Sequence, residues 1–305
     1  METLQISTEQ LERHVYTLAA DIGEHNIFKP AALHAAEDYI RLTWEQQGYI
    51  VTRQVYEVRG VSCANLEVTC PGTASSDELI LIGAHYDSVK DCPGANDNGS
   101  GVAALLEISR LFAHSAPRTS VRFVAFVNEE PPFFFWGKMG SAIYAKAARQ
   151  RSEKLRFMAS LETIGYYSES PGSQRYPPLF KYFFPDRGNF ISFVSNFRSR
   201  AVMRKAVHTF RASSSFPIQH VATFSWIPGV AWSDHLSFWR QGYRAFMVTD
   251  TAFYRYRYYH TPQDTADKLC YEPFAQCCDG LYRCFAMMAG TDSAEQRESL
   301  QFVAQ

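Results

Sequence analysis

The sequence lacks the features that mark several large classes of protein. Lysine and arginine (30) nearly balance aspartate and glutamate (31), so the basic excess that favours nucleic-acid binding is missing and we expect no nucleic-acid partner. No apolar stretch reaches the length needed to cross a bilayer, which predicts no membrane association. The first residues lack the basic and apolar regions of a secretory signal. We therefore expect a cytoplasmic protein, with a secreted mature form left open.

Several catalytic and cofactor motifs are also absent or out of place. The seven cysteines include no C-x-x-C pair, which argues against a zinc knuckle or redox motif and predicts mostly buried free thiols. No G-x-S-x-G elbow of a serine hydrolase is present. A G-x-G-x-x-A match begins at Gly99, but it follows a polar turn instead of a strand, which disfavours dinucleotide binding. Disulfide pairing of Cys270 and the oligomeric state stay open.

Apolar runs that alternate with helical segments make up most of the chain. Strands are predicted at 49–58, 65–69, 79–84, 121–127, 157–161, 191–194 and 245–248. Helices are predicted at 7–21, 28–48, 101–113, 141–149, 200–211, 234–241 and 274–288. This order predicts an α/β fold, with a mixed, mostly parallel β-sheet flanked by helices on both faces and an antiparallel edge formed by the first strands.

The whole chain, 1–305, is expected to form a single domain. It divides into N-terminal helices over 7–48 and a core over about 57–290. The Pro-, Gly- and Tyr-rich segment 168–189 has no clear periodicity, and long irregular loops in compact domains often serve as lids. We therefore predict that this segment forms the rim of the active site.

Imidazole and carboxylate side chains follow the predicted strands at their carboxyl ends, where α/β sheets bind ligands. His85 and Asp87 follow one strand, Glu129 and Glu130 the next, and Glu162 a third. His260 comes after a later strand, and Asp97 lies in the polar turn Gly94–Gly101. Two histidines with several carboxylates suit Zn²⁺, and carboxylates gathered at one edge repel each other without cations. The pattern therefore predicts a metal site.

Four segments together resemble the ordered motifs of the M28 family of zinc aminopeptidases, over about 57–290: His85-Tyr-Asp87, Gly94–Gly101, Asn128-Glu129-Glu130 and His260-Thr-Pro-Gln-Asp-Thr. The resemblance implies two zinc ions. Asp97 would bridge them, His85 and Glu162 would complete one site, and Glu130 and His260 would complete the other. Position 162 departs from the family pattern, because many two-zinc members have aspartate there and the longer glutamate changes the reach of the carboxylate.

The resemblance also implies a reaction, the hydrolysis of N-terminal peptide bonds of short peptides that carry a free N-terminus. Glu129 would be the general base that takes a proton from a water activated by the two zinc ions, and Tyr259 would help to polarise the scissile carbonyl. Asp87, two residues beyond His85, is placed to accept the other ring N–H of that histidine and to fix its tautomer. Adjacent residues that leave a strand point in opposite directions, which agrees with different roles for Glu129 and Glu130.

Other interpretations remain beside the aminopeptidase. One is a glutaminyl cyclase-like acyltransferase with one zinc ion, since such enzymes are similar in fold and in motif order. A carboxypeptidase or deacylase of the superfamily is a further alternative. A non-catalytic binding domain is disfavoured because all five ligand positions carry metal-binding side chains. Asp97 alone would also suit a helix N-cap. The aromatic clusters 131–136 and 253–259 are predicted to line a pocket or to pack in the core, and Arg255 and Arg257 are expected to be solvated.

Overall fold

The computed structural model describes residues 5–134 and 137–291. Within these residues eight strands form one sheet: β1 (Thr52–Val58), β2 (Val61–Cys70), β3 (Glu78–His85), β4 (Ser120–Phe126), β5 (Lys154–Glu162), β6 (Ile191–Ser195), β7 (Ile218–Ala222) and β8 (Ala245–Thr249). The strands lie in the order β1-β2-β4-β3-β5-β8-β6-β7. The carboxyl ends of β3, β4 and β5 therefore meet near the middle of the sheet.

The sheet is mixed. Strands β4, β3, β5 and β8 run parallel to one another, as do β6 and β7. Strands β1 and β2 form an antiparallel edge, and β2 joins β4 in antiparallel pairing, as the sequence predicts. A second antiparallel pairing, between β6 and β8, was not predicted. Strand β7 was missed altogether because Gln219 and His220 interrupt its short apolar pattern.

Seven α-helices are described within the same residues: α1 (Thr8–Tyr16), α2 (Pro30–Gln46), α3 (Gly101–Phe112), α4 (Gly140–Gln150), α5 (Arg200–Ser213), α6 (His235–Arg240) and α7 (Tyr271–Ala289). They cover both faces of the sheet, since alternate residues of one strand enter different apolar clusters. Ile80 and Ile82 of β3 pack with the cluster that includes α3 and α7. Leu79 and Leu81 pack with the cluster that includes α4 and α6. The predicted α/β fold is confirmed.

Two further features bear on the expectations from composition. All seven cysteines are free, and six of them are buried. Among residues 5–134 and 137–291, no helix has both the length and the apolar character needed to span a membrane.

Candidate metal centre

The five predicted ligands lie together at the carboxyl end of the central strands. His85 is the last residue of β3 and Glu162 the last residue of β5. Glu130 follows β4, Asp97 lies in the turn that precedes α3, and His260 lies in a turn after β8. We call His85 and Glu162 the inner half of the centre, and Glu130 and His260 the outer half.

Asp97 stands between the two halves. Its Oδ1 lies 3.3 Å from Nε2 of His85, and its Oδ2 lies 2.9 Å from Nε2 of His260. On the inner side, Nε2 of His85 is also 3.4 Å from Oε2 of Glu162. On the outer side, Nε2 of His260 is 3.3 Å from Oε2 of Glu130. Each oxygen of the central carboxylate therefore faces one histidine and one half of the centre.

The donor atoms of this cluster fit a metal ion. Nε2 of His85, both carboxylate oxygens of Asp97 and Oε1 of Glu130 are buried without a hydrogen-bond partner among the described residues. Buried polar atoms normally have partners, so four such atoms in one place need a ligand from outside the chain. Ligand atoms of His85, Asp97 and Glu130 lie within 4.8 Å of one another. Imidazole nitrogens with carboxylate oxygens are the donor set that zinc prefers in catalytic sites.

The charge states of the cluster lead to the same conclusion. Burial raises the pKa of Glu130 to about 8 and that of Glu129 well above its usual value. Burial alone would lower the pKa of His260, but the carboxylates of Asp97 and Glu130 raise it to about 11. Asp97 keeps a pKa below its usual value because the two histidines outweigh the effect of burial. Without a cation the cluster would hold protons among its acids and imidazoles, and a divalent ion would displace them.

Asp87 supports the centre differently from the prediction. Its carboxylate lies 3.6 Å from Nδ1 of His85, too far for a hydrogen bond, whereas its backbone carbonyl accepts from that nitrogen at 3.0 Å. The tautomer with Nε2 free is therefore fixed by the backbone. The Asp87 carboxylate instead accepts from the backbone N–H groups of Glu129 and Glu130, at 3.0 and 3.1 Å. It holds the turn that carries both glutamates.

The polar turn before α3 does not use Asp97 as a helix cap. Oδ1 of Asn98 accepts from the backbone N–H of Gly101 and from that of Thr163, while both oxygens of Asp97 stay free of hydrogen bonds among the described residues. Nδ2 of Asn98 donates to the carbonyl of Leu161. The neighbouring asparagine therefore caps the helix and ties the turn to the end of β5, which leaves Asp97 available to a metal.

Asp264, in the segment after His260, was not predicted to take part in the centre. Its carboxylate accepts from the backbone N–H of Asn96 at 2.8 Å and from that of Asp97 at 3.1 Å. The buried hydroxyl of Tyr256 donates to the same carboxylate at 2.8 Å. Asp264 thus joins the turn that carries His260 to the turn that carries Asp97. The Asp of His-Thr-Pro-Gln-Asp was visible in the sequence, but its partners 167 and 168 residues earlier were not.

The segment Ser233-Asp234-His235 lies behind the inner half. Oγ of Ser233 donates to Oε2 of Glu162 at 2.8 Å and is itself 2.9 Å from Oγ of Ser160. Asp234 is fully buried, and burial raises its pKa to about 7. His235 directs Nε2 to the carbonyl of Val230, and burial lowers its pKa to about 4. His235 therefore directs this ring nitrogen to the backbone.

Three residues at or next to the predicted ligands have positive φ angles. Asn128 precedes the two glutamates with φ 60°, Thr163 follows Glu162 with φ 44°, and His260 itself has φ 56°. Positive φ is costly for residues with a β-carbon and persists where the surroundings enforce it, often at functional sites. The chain therefore holds strained backbone at the points where it presents these side chains.

An apolar pocket opens beside the inner half of the centre. Glu162 and Tyr259 line its cavity of about 90 Å³. Tyr176, Pro177, Phe180 and Phe184 of the predicted rim segment form part of its wall, together with residues of the sheet edge and of two loops: Phe190, Val194, Ile227, Trp232, Met247, Phe253 and Tyr254. The ring of Tyr259 stacks on His260 with 4.0 Å between centroids. The pocket thus connects to both halves of the centre.

The aromatic cluster 131–136 and the two arginines, Arg255 and Arg257, match the predictions only in part. Phe133 packs in the core, and Phe135 and Trp136 lie outside the described residues. Arg257 is exposed as expected, but the prediction for Arg255 was wrong, because its side chain is buried. Its guanidinium donates to the side chain of Gln174 and to two backbone carbonyls, those of Tyr166 and Phe190. Arg255 thereby ties the rim segment to the loop that leads to His260.

The fold and the cluster together define a metal-dependent hydrolase of the zinc-exopeptidase type. The sequence model of peptidase family M28 matches residues 65–283. The chain belongs to this family, which confirms the predicted family and the predicted class of enzyme, a zinc-dependent peptidase.

Individual relatives show how far the likeness extends. The chain is 41% identical over 284 residues to the uncharacterized protein YfbL of Escherichia coli (strain K12), covering 90% of this chain and 86% of that protein. Its fold is similar to BSAP, a zinc aminopeptidase from Bacillus subtilis, with TM-score 0.76 and 14% identity over 94% of this chain and 96% of that one. It is also similar to a glutaminyl cyclase of Fimbriiglobus ruber, with TM-score 0.71 and 17% identity over 94% and 97%.

Relatives named as probable zinc metalloproteases match over shorter stretches. Three of them cover 37% of this chain, and the chain spans only 23% to 27% of their own length. The two solved structures share the fold at low identity, although their names give different reactions. The shared fold therefore does not distinguish a peptidase from a cyclase.

Proposed function

We propose that the chain is an aminopeptidase that binds two zinc ions and hydrolyses the N-terminal peptide bond of short peptides. The observation that carries this proposal is the position of Asp97, whose two unpartnered oxygens face His85 at 3.3 Å and His260 at 2.9 Å. A carboxylate with one oxygen toward each histidine suits a bridge between two ions. Glu162 would complete the inner site and Glu130 the outer site. Zinc bound there would lower the pKa of water toward neutrality and would polarise the scissile carbonyl.

Glu129 is the side chain we assign to proton transfer. Its Oε2 lies 4.0 Å from Nε2 of His85, farther than the carboxylates of Asp97 and Glu162, so it stands beside the ligand set instead of within it. Burial raises its pKa, and the neighbouring carboxylates of Glu130 and Glu162 add to the effect. A carboxylate with raised pKa takes a proton from the attacking water and returns it to the leaving amine. Tyr259 lines the pocket and stacks on His260, which supports a role for its phenol in contacting the scissile carbonyl.

The free α-amino group of the substrate would lie at the junction of the pocket and the centre. Glu162 lines both, and it is the carboxylate nearest to an N-terminal residue whose side chain enters the pocket. An ammonium or amine held there fixes the distance between the scissile bond and Glu129. Hydrolysis would therefore require an unblocked N-terminus. We also propose that the protein is located in the cytoplasm.

A glutaminyl cyclase-like reaction with one zinc ion is the second candidate. One observation favours it, since donor atoms of His85, Asp97 and Glu130 lie within 4.8 Å of one another and would suit a single ion. A carboxypeptidase or deacylase of the same superfamily would need a group near the pocket that binds a substrate carboxylate. Among the described residues that line the pocket, none is an arginine or lysine.

A substrate panel on zinc-loaded protein tests the proposal. Aminoacyl anilides should be hydrolysed, the same anilides with an acetylated amine should not, and a glutaminyl peptide should not be cyclised. Exhaustive chelation should abolish hydrolysis and zinc should restore it. Hydrolysis of acetylated substrates, or cyclisation as the sole activity, would contradict the assignment.

A further inference from the structure

One side of the pocket is formed by the same face of the three strands at one end of the sheet. Strand β8 contributes Met247 and Thr249, β6 contributes Ser192 and Val194, and β7 contributes Gln219 and Val221. Side chains alternate along a strand, so each strand presents two residues to the pocket. On this part of the sheet the covering elements are the rim segment and the loop that carries Ile227 and Trp232.

The register of the strands arranges these six residues in two rows. Thr249 pairs with Ser192, and Ser192 pairs with Gln219. Met247 pairs with Val194, and Val194 pairs with Val221. One row is polar and the other is apolar. The polar row continues into the metal centre, because Glu162 of β5 pairs with Thr249.

Along the polar row, the side chains farther from the metal centre make fewer hydrogen bonds. The hydroxyl of Thr249 is 3.1 Å from that of Thr163 and accepts from the backbone N–H of Thr251. Within the described residues, the side chains of Ser192 and Gln219 have no hydrogen-bond partner; Ser192 is buried and Gln219 is half-buried. A hydroxyl and an amide that face an apolar cavity without partners offer hydrogen bonds to whatever fills it.

The opposite wall of the pocket is aromatic. Phe180 stacks on Phe184 with 6.0 Å between ring centroids, and Trp232 lies against Phe253 at 5.3 Å. All four line the pocket. Aromatic walls favour a planar ring between them, since offset and edge contacts add to the burial of apolar area. A charged side chain in this cavity would find no ionic partner beyond Glu162, and an unpaired buried charge is costly.

The spacing of the strands sets the length of the side chain that fits. Neighbouring strands lie about 4.8 Å apart, so Ser192 is roughly 10 Å from the strand that carries Glu162, and Gln219 is one strand farther. A small side chain would leave the far end of the pocket empty. A long planar side chain would bring its tip to the polar row.

We propose that the pocket binds the N-terminal side chain of the substrate and selects an aromatic ring with a hydrogen-bonding group at its far end, tyrosine above phenylalanine. Ser192 and Gln219 would recognise that group, and the row Met247, Val194 and Val221 would pack against the ring. This inference rests on the proposed aminopeptidase function and names the substrate class of that same site.

The first test compares kcat/KM for tyrosyl, phenylalanyl, leucyl and alanyl anilides. Wild-type enzyme should prefer the tyrosyl over the phenylalanyl substrate by about 5- to 10-fold, the effect of one hydrogen bond to the phenol. Ser192→Ala and Gln219→Met should each bring this ratio toward 1. Ser195→Ala is the matched control, because Ser195 lies on the opposite face of β6 and should leave the ratio unchanged. Equal rates for tyrosyl and phenylalanyl substrates in wild-type enzyme would overturn the inference.

A binding measurement separates this inference from the proposed function. Tyrosinol and phenylalaninol carry a free amine but no scissile bond, and calorimetry on zinc-loaded protein should show 5- to 10-fold tighter binding of tyrosinol, lost in Ser192→Ala. If no anilide is hydrolysed and this preference remains, the pocket assignment stands and the aminopeptidase function fails. If anilides are hydrolysed and tyrosinol binds no better than phenylalaninol, the function stands and the pocket assignment is wrong.

Discussion

The inner and outer halves of the metal centre are held by different kinds of structure. His85 and Glu162 end two parallel strands, and the side chain of His85 is 1% exposed. Glu130 and His260 lie in turns, and the side chain of His260 is 32% exposed. The inner half is fixed from behind by the Asp87 carbonyl and by Ser233. The outer half depends on hydrogen bonds within and between turns.

The inner half is therefore the more rigid of the two, and the outer half is the more accessible to solvent. Ligands at strand ends inherit the rigidity of the sheet, so the inner half should bind its ion more tightly and exchange it more slowly. The outer half faces solvent at His260, and its geometry depends on Asp264 and Tyr256, which join two turns. We therefore expect the outer ion to be the one that leaves first under chelation.

The largest effect should come from the residue shared by both halves. Asp97→Asn removes the charge that faces both histidines, so both ions should be lost and activity should fall by at least about 10³-fold. Metal analysis by mass spectrometry and the anilide assay measure the two effects. Asp91→Asn, an exposed acid on the same loop, is the control and should retain metal and activity. Normal metal content in Asp97→Asn would mean that neither half relies on the bridge.

The neighbouring glutamates should separate catalysis from binding. Glu129→Gln keeps the shape of the side chain but cannot accept a proton, so kcat should fall by about 10²- to 10⁴-fold with metal content nearly unchanged. Glu130→Gln should lower metal content in the outer half and leave the inner ion in place. Each variant serves as the matched control of the other. The reverse pattern in metal analysis would exchange the two roles.

A smaller effect is expected from the support behind the inner half. Ser233→Ala removes the hydrogen bond to Glu162, and loss of such outer support typically weakens metal affinity by about 10- to 100-fold. Competition with a coloured chelator measures the affinity of each ion. Ser237→Ala is the control, since Ser237 contacts Ser141 and not a ligand. Weakening of the outer ion alone would show that the two halves are not supported separately.

The smallest effect should come from the phenol that supports the outer half. Tyr256→Phe deletes the hydrogen bond to Asp264 and should cost about 0.5–1.5 kcal/mol of folding free energy, because the buried carboxylate oxygen loses one donor but keeps the backbone N–H of Asn96. Urea unfolding of the apo protein measures the loss. Tyr258→Phe, whose less buried hydroxyl accepts from Arg257, should change stability by much less. Equal losses of stability in both variants would mean that the hydrogen bond to Asp264 has no special role.

Much of this architecture was accessible from the sequence because it follows local patterns. Alternation of strands and helices predicted the α/β sheet, and the placement of His85, Glu130 and Glu162 after strands predicted their meeting at one edge. The different roles of Glu129 and Glu130 were inferred from the alternation of strand side chains, whereas both glutamates lie in a turn after β4, beyond Asn128 with its positive φ. Which of the two holds a metal came from the family resemblance and remains a proposal.

The remaining features depend on contacts between distant parts of the chain. Arg255 was expected to be solvated, because nothing local shows that two backbone carbonyls and Gln174 surround it. The bond between Asp264 and the Asp97 turn joins residues 167 positions apart. The polar row of the pocket needs both the strand order and the register of β6, whose antiparallel pairing with β8 has no local signal.

We propose that two ions, one in each half of the centre, support hydrolysis of substrates with a free amine. The most direct measurement is a titration of zinc into apo enzyme, with bound ions counted by native mass spectrometry while anilide hydrolysis and glutaminyl-peptide cyclisation are assayed in parallel. We expect a first, tighter ion in the inner half, a second, weaker ion, full hydrolysis at two ions per chain and no cyclisation. Saturation at one ion with cyclisation alone would contradict this proposal and would establish the cyclase-like reaction instead.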